Sequence, residues 1–158
     1  MRRKIPLCEA AYLCMVIALA VPGTAISQEH SLLVDTGVIF SAQQLERSAD
    51  ANRKMGITPP YWTPSSEDIA RLERQLKPYL ATTPHAKAQS SKRQYLGYTK
   101  DGTRWIFVNS FCEWWMKDRS WHEDIFIVFD GGPCFFTVRY DQSNSQFHEL
   151  RVNGPIPF

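Results

Sequence analysis

Cys112 to Glu123 reads CEWWMKDRSWHE and concentrates the residues most able to do chemistry. Trp114, Trp115 and Trp121 fall close together, with Met116 among them. Exposed indole rings can stack on a sugar or form the hot spot of a protein interface. Folded inward, the same rings cap one end of a core, and at least one is expected to do so. The candidate binding residues are therefore Trp114, Trp115 and Trp121, together with Asp130 a little further on.

Other reactive groups have plainer roles available. His122, Glu123 and Asp124, with Asp118 nearby, are consecutive or nearly so. Consecutive side chains rarely converge on one ion, and no spaced partner motif accompanies them, so no metal site is assigned. Asp130 could act as a general base, but it opens Asp130-Gly131-Gly132-Pro133, where an aspartate commonly bonds the turn backbone. Cys112 beside a histidine could be a nucleophile. The chain contains no G-x-S-x-G, phosphate loop, zincin helix or dinucleotide fingerprint. No catalytic residue and no cofactor follow from the sequence. Two function classes stay open: a non-catalytic binding, inhibitory or accessory module, or a small hydrolase whose residues converge from distant positions, using Asp130, His122 or His148 with a carboxylate.

The N-terminus says where such a protein works. Arg2, Arg3 and Lys4 precede an apolar run of twelve, Ala10 to Val21, then Gly23, Ala25 and Ser27. That order is the signature of a secretory leader, residues 1–27. The run is shorter than the roughly 20 apolar residues of a membrane span, so no integral membrane protein is expected after cleavage. Cleavage removes three of 18 basic residues and one of 16 acidic residues, leaving 15 of each. The mature chain carries no charge surplus that would recruit nucleic acid. Cys8 and Cys14 leave with the leader. Cys112 and Cys134 remain, an even pair in an exported chain, and predict one disulfide. If their strands form a plain meander, the two cysteines fall at opposite ends of the sheet. The bond therefore predicts a crossover by residues 113–123 before a strand beginning at Asp124.

Residues 28–63 read as an N-terminal arm. Leu32 to Phe40 is either a short strand pair or a tether. Ser41 to Met55 is a polar surface helix with Ser41 able to cap it and Gly56 able to end it. Thr58 to Pro64 is a proline-rich connector. Residues 64–158 form the domain proper. Ile69, Leu72, Leu76, Tyr79 and Leu80 make one stripe at helical spacing. Thr63-Pro64 and Ser65 with Asp68 offer two starts for that helix, and Pro78 is expected to end or kink it. Ala81 to Lys92 is a linker. Arg93 to Thr99 and Arg104 to Phe111 form a hairpin about Asp101-Gly102. Asp124 to Asn153 is rich in β-formers and reads as three strands, broken at Gly131-Gly132 and at Gln142 to Ser145. Leu150 and Val152 share a face but Phe147 is out of phase, which either a bulge near His148 or Glu149, or packing at the start of the strand, would reconcile.

The fold class that follows is α+β: one amphipathic helix on a four- to five-stranded antiparallel sheet, similar by analogy to a cystatin-like arrangement. The elements Val108-Asn109-Ser110-Phe111-Cys112, Asp130-Gly131-Gly132-Pro133-Cys134-Phe135-Phe136 and Phe147…Leu150-Arg151-Val152-Asn153-Gly154, with Tyr61-Trp62-Thr63-Pro64-Ser65, resemble a group of small exported bacterial proteins. The resemblance covers about the last 100 residues. It implies a cell-envelope location and transfers no catalytic residue. The expected partner is another envelope protein or a glycan.

Overall fold

The computed structural model of the chain describes residues 31–83, 91–116 and 120–154, with the side chains of Trp115 and Met116 outside that description. The expected secretory leader, residues 1–27, together with His85, Asp118 and residues 155–158, also lies outside the described residues.

The main helix, α3, spans Ser66–Ala81. Its start is set by Ser65, whose hydroxyl accepts from the Asp68 N–H while the Asp68 carboxylate accepts from the Ser65 N–H. This reciprocal cap satisfies two otherwise orphaned donors. Ile69, Leu72, Leu76 and Leu80 are buried along one stripe and Arg74 is exposed. Pro78 does not end the helix, which runs on to Ala81. Pro78 sits in the last turn, where buried Leu80 anchors the chain and Thr82 donates through its hydroxyl to the Tyr79 carbonyl.

The sheet is larger than four or five strands because the arm joins it. β1 (Leu32–Val34) and β2 (Gly37–Ile39) form a hairpin, and β3 is Tyr61–Trp62. β4 (Ser91–Lys100) and β5 (Thr103–Cys112) turn at Asp101 and Gly102, both with positive φ. β6 is Phe136–Asp141 and β7 is Gln146–Val152. The order is β1-β2-β4-β5-β6-β7, with β3 also paired to β4. All pairs are antiparallel except β2 with β4. Gly97 lets β3 close on β4, since a Cβ there would meet the Trp62 carbonyl and the Pro64 ring.

Two faces follow from the pleat. Tyr95, Ile106, Val108, Phe136, Val138 and Tyr140 face α3. Val38, Phe40, Leu96, Tyr98 and Phe107 face the arm, where they meet Leu45 and Ile57. The arm's helical stretch is two short helices, α1 (Ala42–Arg47) and α2 (Ala49–Lys54), rather than one surface helix. The break at Ser48 turns both Leu45 and Asn52 into the interior, and Asn52 donates there to the Leu45 carbonyl.

The predicted Asp124 strand is absent. Residues 125–128 belong to no helix or strand, and β5 pairs directly with β6. No crossover to a third strand is therefore needed. Ser110 opposes Phe136 in the ladder, and counting the same register outward places Cys112 opposite Cys134. Their Cα atoms are 5.1 Å apart and the disulfide is formed. Gly131 and Gly132 do adopt positive φ, but they turn the chain toward Cys134 instead of joining two strands.

On β7 the bulge is present. Arg139 pairs with His148 and Thr137 with Arg151, so β7 carries one residue more than β6 across that interval. Glu149 takes the strain with φ 50°. The extra residue returns Leu150 and Val152 to the same side as Phe147, against α3.

Candidate functional site

The described residues between β5 and β6, 113–116 and 120–135, belong to a long excursion whose 120–135 part is held by side-chain amides. Gln94 is fully buried on the sheet face turned away from α3. Its Nε2 donates to the carbonyls of Trp121 (2.7 Å) and Asp124 (2.6 Å). Asn109, opposite it on β5, donates to the Phe126 carbonyl and to Gln94 Oε1. Asn153 at the end of β7 donates to the carbonyls of Val128 (2.7 Å) and Asp130 (3.0 Å). These amides take main-chain acceptors that a strand would have satisfied in a ladder. The Ile, Phe and Val run therefore packs as an irregular segment, with Phe126 and Val128 around the disulfide and Ile125 against the arm-side core.

The candidate binding residues separate accordingly. Trp121 is half-buried between the two arm-side clusters. Trp114 is 62% exposed and packs edge-to-face on Phe135, the ring centroids 6.3 Å apart. Trp115 lies in the same 3-10 turn, Glu113–Met116. Asp130 is exposed and engaged through its main-chain carbonyl. Among the described residues, no ring contact or hydrogen bond joins any two of Trp114, Trp121 and Asp130. Phe129, not among the candidates from sequence, is 84% exposed on the same excursion; it ends the continuous apolar run Ile125 to Phe129, whose composition is that of a strand.

The hydrolase residues are also dispersed. His148 lies edge-on to Trp105 and His122 edge-on to Trp121, with His122 Nε2 3.5 Å from a Glu123 carboxylate oxygen. Among the described residues, no hydrogen bond, ion pair or ring contact joins any two of His122, Asp130 and His148. Among the same residues, no group of three His, Cys, Asp or Glu side chains is placed to hold a metal ion, and no helix is long and apolar enough to cross a membrane.

A second group gathers where sequence reading placed none. A cleft of about 320 Å³ opens between the end of α2 and the stretch Ile127–Phe129, floored by Phe107, Thr137 and Arg139. Arg139 is the centre of its floor. Its Nε donates to Glu149 at 2.9 Å, one Nη to the Tyr98 hydroxyl at 2.6 Å, and the other to the Met55 carbonyl at 3.0 Å. The guanidinium also lies over the rings of Tyr98 and Phe107. It thus caps the C-terminal carbonyls of α2, where a cation is favoured. The Arg139 hydrogen bond holds the Glu149 carboxyl below its ordinary range, aided by the charges of Arg139 and Arg151. Burial pushes the Tyr98 phenol up against the opposing pull of Arg139.

On the opposite face, Glu73 of α3 accepts from Arg93 (3.1 Å) and from the Tyr95 hydroxyl (2.9 Å), which meets Thr36. Burial raises the Glu73 carboxyl while Arg93 opposes the rise. Both carboxylate oxygens are engaged, and the knot ties α3 to the sheet and the arm.

Compared with known proteins, the chain matches no family model, no characterised protein and no solved structure.

Proposed function

We propose that the protein is an exported, disulfide-bonded binding module without catalytic activity, working at a bacterial cell envelope, and that the 113–135 excursion is its recognition surface. One observation carries this reading. The excursion is fixed by a disulfide and by three amide side chains from the sheet, yet it leaves Trp114 and Phe129 largely in water. A preorganised loop presenting large aromatic rings loses little entropy on binding. The envelope location is supported by the leader signature and by the resemblance of the NSFC, DGG-x-C and VNG elements to small exported proteins. The partner is another envelope protein or a glycan.

The test is capture from envelope extract by the immobilised exported protein, alongside Trp114→Ala and Phe129→Ala. The variants should lose the captured partner and keep the melting temperature of the parent. An identical catch by all three proteins, or a sharp fall in melting temperature in Trp114→Ala, would remove the excursion as the binding surface.

A further inference from the structure

The cleft behind the excursion indicates a class of ligand, an inference that rests on the binding reading above. We propose that it takes a small organic anion with an apolar body. Four cationic side chains, Arg53, Lys54, Arg139 and Arg151, line it against the single carboxylate of Glu149. That carboxylate is already bonded by Arg139 and approached by Arg151 at 3.8 Å. The cleft therefore holds an uncompensated positive field, and low-dielectric walls focus such a field.

The cations divide by role. Arg139 spends its donors on Glu149, Tyr98 and α2, so it contributes charge from the floor and fixes the geometry. Lys54 and Arg151 are exposed at the mouth and reach an incoming anion. Arg53 is tied at 3.3 Å to Asp50, but both side chains are mostly in water, where such a pair contributes little and exchanges readily.

The walls supply the second half of the recognition. Phe107 floors the cleft, and Met55, Ile127 and Phe129 bound it. A fully ionic ligand would leave these groups uncovered, and a neutral one would leave the cationic rim unmatched. A volume of about 320 Å³ is at the lower end of the roughly 300–1,000 Å³ typical of small-ligand sites. It suits a short acyl or aryl chain bearing one acidic group. A polyanion is disfavoured, because the cleft offers only four cations, one of them already bonded to Glu149.

Octanoate, octanamide and octylamine separate charge from apolar fit. Each is titrated into the ¹⁵N-labelled exported protein, following amide resonances of Ile127, Val128, Phe129, Thr137 and Arg151. Octanoate should shift these resonances with an affinity at least about tenfold above octanamide, a difference of about 1.4 kcal/mol, and octylamine should leave them unmoved. The double variant Lys54→Glu/Arg151→Glu changes only exposed rim residues and should reverse the order, favouring octylamine. Equal binding of octanoate and octanamide would overturn the anion inference while leaving the cleft as a binding site. Silence from all three at these resonances would overturn the inference. Loss of partner capture by Phe129→Ala would then still stand for the binding reading, whereas unchanged capture would remove that reading too.

Discussion

Arg139 and Glu149 meet at 2.9 Å because β7 holds one residue more than β6 requires. In an unbroken ladder the residue after His148 would point toward α3. The bulge instead places Glu149 on the arm side, at φ 50°, where its carboxylate reaches the guanidinium. A left-handed non-glycine residue costs on the order of 1–3 kcal/mol. Here the same residue re-phases Leu150 and Val152 into the core and orients the arginine that caps α2.

Acid titration isolates this pair. The Glu149 carboxyl is lowered in the folded state, first by the Arg139 hydrogen bond. A lowered carboxyl gives stability that is present above the unfolded glutamate value of 4.5 and is lost as pH falls through the folded value. Denaturation of wild type and Glu149→Gln should show the wild type more stable at neutral pH, with the gap closing as pH falls below the ordinary glutamate value. Asp68 and Asp141 are also lowered, so both proteins lose stability in acid; only the difference reports Glu149. A gap that does not change with pH would mean that the pair contributes nothing through charge.

The amide clasp gives a second test. Gln94→Leu removes the donor shared by the Trp121 and Asp124 carbonyls. Each buried acceptor left unpaired costs about 1–3 kcal/mol. Urea denaturation should show a loss in that range or above, and Trp121 fluorescence should shift to the red before global unfolding as its segment lifts from the sheet. Gln43→Leu, on the exposed side of α1, should stay within about 0.5 kcal/mol. Equal effects at the two positions would show that the clasp does not hold the excursion.

The clasp also explains what was legible in the sequence. α3, the β4–β5 hairpin and the disulfide each depend on neighbours in sequence or on one simple pairing rule, and each was readable, whereas the bulge was one of two ways to reconcile Phe147 with Leu150 and Val152. Ile125 to Phe129 has a strand's composition, but its conformation is decided by Gln94, Asn109 and Asn153. Those residues lie far away in the chain, and an amide in a strand pattern carries no mark of what it will bond. The parallel pairing of β2 with β4 was equally hidden, since nothing local to Gly37–Ile39 names its partner. The cleft joins α2, β5, β6, β7 and the excursion. Its one local trace is Arg139, a charge alternating with apolar residues in a strand with a buried face.

The α3 stripe is tested by a matched pair. Leu76 is fully buried among Ile39, Val108 and Val138, while Arg74 projects outward. Leu76→Ala should destabilise by about 2–5 kcal/mol through lost transfer energy and a residual cavity. Arg74→Ala should change stability by less than about 0.5 kcal/mol. Similar small effects at both would mean that the helix does not supply the core of that face.

The disulfide closes the mouth of the excursion and so links stability to the proposed recognition surface. Cys112 is buried at the end of β5, and Cys134 stands opposite it two residues before β6. Their separation of 22 residues corresponds to about 3 kcal/mol in the chain-entropy picture. Cys112→Ala/Cys134→Ala should lose about that much. The loss should fall unevenly. The β4–β5 and β5–β6 ladders have their own pairings, so amide exchange should accelerate most within 120–130, where only side chains and local turns hold the chain. Thiol titration of the protein lacking residues 1–27, denatured without reductant, should find no free sulfhydryl. Two free thiols per chain would remove the bond, and with it the rigidity on which the proposed recognition by Trp114 and Phe129 depends.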